Sequence, residues 1–194
     1  MTFAYADPPY LGQATEYRRH HPDAADYNGP EAHRALIERL HSEFPDGWAL
    51  SASMTNLWDF LPMIPKDWKC RIAAWCKPFG SCSAVGYPQR SWEPVLFCGG
   101  RQRPGRSTCP PDFLVSNSYY ASHGHKGGNQ HTVTRTRFPG AKPDEFCYWL
   151  FDLLNMRRED TFIDLFPGTG RVARAWEHYK RAGMTIFSTS EADS

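Results

Sequence analysis

The chain has 194 residues and a mass of 22.2 kDa, which predicts one compact domain, because single cores grow to about 200 residues before they split. Its hydrophobic content of 41% and charged content of 22% exclude a chain that is disordered throughout. The net charge is +1, from 22 basic and 21 acidic residues, so the total charge does not by itself predict a polyanionic partner.

Apolar runs such as 147–154 are much shorter than the roughly 20 residues of a membrane span. The first seven residues lack the basic segment, the apolar stretch and the cleavage site of an export signal. We therefore expect a soluble, cytoplasmic protein with no membrane partner.

The cysteines contain no C-x-x-C pair and are spread through apolar segments, so we expect free buried thiols rather than disulfides. They are Cys70, Cys76, Cys82, Cys98, Cys109 and Cys147. A zinc site that combines some of them with His123, His125 and His131 is the alternative, but the ligand spacing is unpaired and we expect no metal.

Strand-like and helix-like segments alternate along the chain, which predicts an α/β sheet. In the first half we expect, in order, a strand at 3–6, a helix from Pro30 to Asp46-Gly47, a strand at 48–53, a short helix at 56–64, and strands at 70–76 and 95–98. In the second half we expect a helix that begins at Pro143, a strand at 161–166, a helix that ends at Gly183 and a last strand at 184–188.

The segment 101–138 is strongly basic and lies between these two halves. It contains six basic residues and one acidic residue, which gives a net charge of +5. The basic residues are Arg101, Arg103, Arg106, Lys126, Arg135 and Arg137, and the acidic residue is Asp112. A solvated polar loop and a surface that contacts nucleic-acid phosphates both fit this pattern.

The tetrapeptide Asp7-Pro8-Pro9-Tyr10 directly follows the first predicted strand. The two prolines fix the backbone and remove two N–H donors, which leaves carbonyl oxygens and the Asp7 carboxylate as rigid acceptors beside an aromatic ring. Such a group suits a nucleobase, because Tyr10 stacks on the ring while Asp7 and the Pro8 carbonyl accept from its amino group. A simple turn is the alternative.

A second motif, Asp164-Leu165-Phe166-Pro167-Gly168-Thr169-Gly170, lies at a predicted strand-to-helix junction. Its glycines permit a tight turn and a close approach of a ligand to the backbone. It lacks the last glycine of the dinucleotide fingerprint and the Lys-Ser/Thr ending of a phosphate-binding loop. A cofactor loop of another kind and a turn without a ligand both remain open.

Together, and in this order, the two motifs resemble those of the permuted (β-type) S-adenosylmethionine-dependent amino-methyltransferases of DNA. Asp7-Pro8-Pro9-Tyr10 matches the catalytic tetrapeptide, and Phe166, Gly168 and Gly170 match the F-x-G-x-G cofactor loop. Lys142-Pro143 matches the family element that precedes this loop, and 92–97 resembles a strand of permuted DNA and RNA adenine enzymes. The resemblance spans nearly the whole chain.

The resemblance implies a single domain over 1–194 with the Rossmann-like sheet of class I methyltransferases, circularly permuted and truncated at its C-terminal edge. It implies S-adenosylmethionine as the cofactor, and contacts to it from Asp164, Phe166, Gly168, Thr169, Gly170, Lys142 and Pro143. Glu191, about twenty residues beyond the glycine turn, is a candidate ribose ligand, with a solvated tail residue as the alternative.

The resemblance also implies methyl transfer to N6 of adenine in DNA, since the tetrapeptide begins with Asp. RNA adenine, DNA cytosine N4 and a non-catalytic nucleic-acid-binding subunit are the alternatives. Nucleic-acid contacts would come from Arg18, Arg19, Arg101, Arg103, Arg106, Lys126, Arg135 and Arg137, and a homodimer or a partner subunit would complete the short chain. All of this requires the tetrapeptide and the glycine turn to follow neighbouring strands and to share one cleft.

Overall fold

A computed structural model describes residues 1–14, 26–81, 88, 90–105, 109–116 and 142–182, with the backbone alone at 78–81. Its main elements are β1 (Thr2–Ala6), α1 (Pro30–Glu43), β2 (Gly47–Ser51), α2 (Leu57–Phe60), β3 (Arg71–Ser81), β4 (Arg90–Gly99), β5 (Phe113–Val115), α3 (Asp144–Leu153), β6 (Thr161–Asp164) and α4 (Arg171–Ala182). Short 3₁₀ helices occupy Met54–Asn56, Leu61–Met63 and Lys66–Trp68.

The six described strands form one sheet in the order β5-β3-β4-β2-β1-β6. β1 runs parallel to β2 and to β6, β3 runs parallel to β5, and β4 is antiparallel to both β2 and β3. Five of these strands therefore end at the same edge of the sheet. We call this the carboxyl edge, and the opposite edge, where β1, β2 and β6 begin, the amino edge.

Helices pack on both faces of the sheet because side chains alternate along β1. Phe3 and Tyr5 belong to the apolar cluster that contains α3 and α4, whereas Ala4 and Ala6 belong to the cluster that contains α1. All of these side chains are fully buried, and each large one contributes about 1.5–3 kcal/mol to folding. The predicted α/β, Rossmann-like sheet is confirmed.

Most predicted elements are present, with differences at their ends. The predicted helix at 56–64 is broken into α2 and a 3₁₀ turn, because Pro62 lacks the N–H that a continuous helix needs. β3 and β4 extend past their predicted limits toward the carboxyl edge, and β5 was not predicted. The predicted strand at 184–188 lies outside the described residues.

The prediction of free thiols is wrong for two cysteines. Cys70 and Cys98 form a disulfide, with Cα atoms 4.3 Å apart and a sequence separation of 28. Cys70 precedes β3, and the antiparallel pairing that places Arg71 opposite Phe97 brings the two cysteines face to face. No local spacing could reveal this pair, because its contact depends on strand register. Cys76, Cys109 and Cys147 are free.

Among the residues that the structure describes, no three His, Cys, Asp or Glu side chains are grouped so that they could hold a metal ion. In the same described residues, no helix combines the length and the apolar character that a bilayer span requires.

Candidate active site

The site lies at the carboxyl edge, between β1 and β6. The register pairs Tyr5 with Asp164, and the Leu165 amide donates to the Tyr5 carbonyl at 2.9 Å, so the strands stay paired up to the turns that follow them. The chain leaves β1 toward α1 on one face and leaves β6 toward α4 on the other. In open α/β sheets such a divergence creates the crevice in which ligands bind. The prediction that the two turns follow neighbouring strands is confirmed.

Asp7 is anchored by a buried lysine. The Lys142 Nζ donates to Asp7 Oδ2 at 2.6 Å, and the Lys142 side chain is only 4% exposed. Burial raises the pKa of Asp7, and the Lys142 ammonium opposes part of that rise. Lys142 was predicted to contact a cofactor, and its ammonium contacts the tetrapeptide; its contact with a cofactor stays a prediction.

The rest of the tetrapeptide forms a compact turn. Pro8 and Pro9 are buried, Tyr10 is half-buried, and the Gln13 amide donates to the Tyr10 carbonyl at 2.8 Å. The Tyr10 hydroxyl donates to Glu93 Oε2 at 3.2 Å. The Tyr10 side chain is therefore held on two sides, by the proline-restricted backbone and by the hydrogen bond of its hydroxyl.

Glu93 and Lys77 are site residues that sequence reasoning missed. The Lys77 ammonium donates to Glu93 Oε1. Burial acts to raise the pKa of Glu93, but Lys142 and Lys77 more than offset it, so the pKa lies below its usual value. The available signal was a charged residue within each apolar strand, two positions after Trp75 in β3 and directly after Trp92 in β4.

Asp164 offers an acceptor within the crevice. Its Oδ1 accepts from the Phe166 amide at 3.2 Å, whereas Oδ2 is buried and has no hydrogen-bond partner among the described residues. Burial raises the pKa of Asp164 to about 6. A buried acceptor without a partner carries a free-energy penalty that a cationic ligand would remove.

The glycine turn has the backbone that its sequence predicts. Gly168 has φ 47° and Gly170 has φ 69°, a region that residues with a Cβ seldom adopt. The Thr169 carbonyl accepts from Arg174 Nη1 at 2.9 Å, which fixes the turn to the first turn of α4. The half-buried Phe166 packs edge-on against Tyr27, with ring centroids 5.1 Å apart. Pro143 is buried next to Lys142 at the start of α3.

The structure does not bring two of the predicted nucleic-acid contacts to this site. Arg101 and Arg103 lie at the amino edge, where Arg101 Nη2 contacts both Asp160 carboxylate oxygens at 2.6 and 2.8 Å. Arg103 Nη2 donates to the Asp152 carbonyl. Both arginines line a cavity of about 1220 Å³, together with Lys69 and Arg71. Their contact with nucleic acid stays a prediction.

The other predicted contacts lie outside the described residues: Arg18, Arg19, Arg106, Lys126, Arg135, Arg137 and Glu191.

No protein-family model matches the chain, and no curated protein matches it. Among solved structures, it is similar to a crystal structure of an M1.HpyAVI–SAM complex, with 11% sequence identity and a TM-score of 0.49 over 91% of this chain and 78% of that chain.

Proposed function

We propose that the chain is an S-adenosylmethionine-dependent methyltransferase that modifies the exocyclic amine of a nucleobase, with N6 of adenine in DNA as its substrate. One observation carries the proposal. The acceptor tetrapeptide and the glycine turn follow neighbouring parallel strands and reach the same edge of the sheet. A base held at the first turn and a methyl donor held at the second therefore meet in one crevice.

The residues of the second turn suit the methionine part of the cofactor. The buried Asp164 Oδ2, which lacks a hydrogen-bond partner among the described residues, matches an ammonium group, and the positive-φ glycines let a ligand approach the backbone. Phe166 offers an apolar surface beside them, and Lys142-Pro143 borders the same crevice. When bound, the cofactor supplies an electrophilic methyl group on its sulfonium.

The residues of the first turn suit the target amine. The exocyclic nitrogen of adenine is a weak nucleophile, because its lone pair is shared with the ring. In our proposal Asp7 and the Pro8 carbonyl accept its two N–H groups, which favours a pyramidal nitrogen and directs the lone pair toward the methyl donor. Tyr10 stacks on the base after the base leaves its helix.

The test is methyl transfer from labelled S-adenosylmethionine to unmodified DNA, followed by nucleoside analysis of the product. We expect the label in N6-methyladenine. Label in cytosine, or in RNA but not DNA, would correct the substrate while retaining the reaction. Label that never enters nucleic acid would contradict the proposal.

Calorimetry separates the enzyme from a subunit that only binds nucleic acid. We expect heat from S-adenosylmethionine binding at the purified protein. An absence of heat at millimolar cofactor, together with salt-sensitive DNA binding, would favour the non-catalytic subunit.

A further inference from the structure

Four charged side chains of alternating sign line the carboxyl edge. The pair Asp7–Lys142 joins the tetrapeptide to the start of α3, and the pair Glu93–Lys77 joins β4 to β3. Trp75 lies between them, with the Lys77 ammonium 4.2 Å and the Lys142 ammonium 5.8 Å from its ring centroid. The second pair is therefore part of the same local structure as the tetrapeptide.

Tyr10 connects the second pair to the tetrapeptide. An aromatic ring supports a base best when its plane is fixed before the base arrives, since ordering it during binding would reduce affinity. The backbone of Tyr10 is restricted by the two preceding prolines, but its side chain would still rotate. The hydrogen bond from its hydroxyl to Glu93 removes that freedom.

Simple stabilisation does not account well for the Glu93–Lys77 pair. The two side chains are 23% and 19% exposed, so both charges are largely withdrawn from water. Such pairs are often no more stabilising than apolar residues of similar size. The pair does, however, fix the carboxylate as an acceptor for the Tyr10 hydroxyl, which sets the direction of that hydrogen bond.

We propose that Glu93 is a positioning residue, anchored by Lys77, which holds the Tyr10 ring in the orientation that stacks on the target base. This inference rests on the proposed function. Glu93 acts through Tyr10 and contacts neither the cofactor nor the reacting nitrogen. Its loss should therefore weaken use of the nucleic acid and leave cofactor affinity unchanged.

The experiment is a double-mutant cycle with Glu93→Ala, Tyr10→Phe and the double variant. We expect Glu93→Ala to lower kcat/KM for DNA about tenfold with an unchanged Kd for S-adenosylmethionine. Because both single changes break the same hydrogen bond, the double variant should be no worse than Glu93→Ala. Glu93→Gln retains an acceptor oxygen and should recover part of the loss.

A control variant and a fluorescence readout separate positioning of Tyr10 from a general effect on folding. The matched control is Glu43→Gln, which removes an exposed carboxylate from the Arg39–Glu43 pair on α1 and should leave kcat/KM unchanged. In an oligonucleotide with 2-aminopurine at the methylated position, stacking on Tyr10 quenches the fluorescence of the flipped base. We expect weaker quenching with Glu93→Ala than with the wild type.

Additive losses in the cycle, or an unchanged kcat/KM in Glu93→Ala, would overturn the inference while the proposed function stands. If Glu93→Ala does not fold, Tyr10→Phe and Glu93→Gln decide, and wild-type kcat/KM in both would overturn it. A wild-type protein that transfers no methyl to nucleic acid overturns the proposed function and this inference with it.

Discussion

At the scale of single residues, the proposed function gives Asp7 two partners, Lys142 and the target amine. A carboxylate accepts through two oxygens, and Lys142 occupies Oδ2, so we assign the target amine to Oδ1. Lys142 also supports the charged form of Asp7 in a position where burial disfavours it. Lys142 thus contacts the tetrapeptide and also borders the expected cofactor site.

Asp7→Ala should lower turnover by at least about a hundredfold, roughly 2.7 kcal/mol of transition-state stabilisation. The variant loses the acceptor that orients the amine, and it leaves Lys142 without this carboxylate. Turnover at saturating cofactor and DNA measures the effect, and thermal unfolding checks that the fold persists. Asp67→Ala, a change at an exposed carboxylate, is the control. Near-normal turnover in Asp7→Ala would remove Asp7 from the mechanism.

Cofactor affinity should rise with pH through the pKa of Asp164, which lies at about 6. In the proposed function the methionine ammonium binds the ionised carboxylate, so the Kd for S-adenosylmethionine should be about tenfold larger at pH 5 than at pH 7. Calorimetry across this range measures it. The Asp164→Asn variant should bind S-adenosylmethionine weakly, and its Kd should not change with pH over this range. A wild-type affinity that stays constant over the range would contradict the assignment.

The same carboxyl makes folding stability depend on pH. Because burial raises the pKa of Asp164 in the folded state, this carboxyl contributes to the free energy of unfolding in a way that depends on pH. The contribution is fully present below the unfolded pKa near 4 and is lost as the pH rises through about 6. Asp164→Asn should therefore gain stability over the wild type at pH 8 but not at pH 4. Denaturant unfolding at both values measures it, and equal differences would contradict the account.

At the scale of elements, β1, α1, β6 and the glycine turn were predictable because each has a local signal. Pro30 begins α1, an apolar run forms β1, and the glycines follow β6. Glu93, Lys77 and the Cys70–Cys98 bond were not predictable as partners, since their contacts depend on the register between β3 and β4. Spacing along the chain carries no information about that register.

The disulfide links the amino-edge ends of β3 and β4, and its reduction should lower the free energy of unfolding. For a sequence separation of 28, removing this restraint from the unfolded chain costs about 3.6 kcal/mol. Denaturant titration with and without reductant measures it. A Cys70→Ala/Cys98→Ala variant should show no further change on reduction, whereas Cys109→Ser, at an exposed free thiol, should respond as the wild type does. Equal stability of oxidised and reduced wild type would contradict the prediction.

At the scale of the whole molecule, the two edges of the sheet differ in the groups that they carry. The carboxyl edge carries the tetrapeptide Asp7-Pro8-Pro9-Tyr10 and the glycine turn with Gly168 and Gly170. At the amino edge, the buried Asp160 accepts from Arg101 and from the Met1 ammonium, at 3.0 Å for the latter. This cluster joins the start of β1 to the residue that precedes β6, and so supports the strand pair on which the site is built.

Arg101→Ala should lower the free energy of unfolding by about 2 kcal/mol, because it removes one charged hydrogen-bond donor from the buried Asp160. Burial alone would raise the pKa of Asp160, but Arg101 and other donors lower it. The stabilisation that these donors give to the ionised Asp160 is therefore present above about pH 4 and is lost at lower pH. Denaturant unfolding at pH 7 and at pH 3 measures both effects. Arg158→Ala, at an exposed arginine of the same turn, is the control. A loss of equal size at both pH values would contradict the account.

The placement of the two motifs after neighbouring strands is a property of the whole sheet. The resemblance of the motifs predicted it, and the pairing of β1 with β6 provides it, although more than 150 residues separate Asp7 from Asp164 along the chain. No local pattern in either segment specifies the other as its neighbour. The site therefore depends on tertiary packing, through the clusters that fix α3 and α4 to one face of the sheet and α1 to the other.

The most direct measurement is a crystal structure with S-adenosylhomocysteine, the demethylated product of the cofactor. We expect its methionine ammonium at Asp164 Oδ2, its amino-acid part along the turn from Phe166 to Gly170, and its sulfur facing Asp7 across the crevice. Product bound instead in the amino-edge cavity beside Arg71 and Arg101, or no binding at millimolar concentration, would contradict the account.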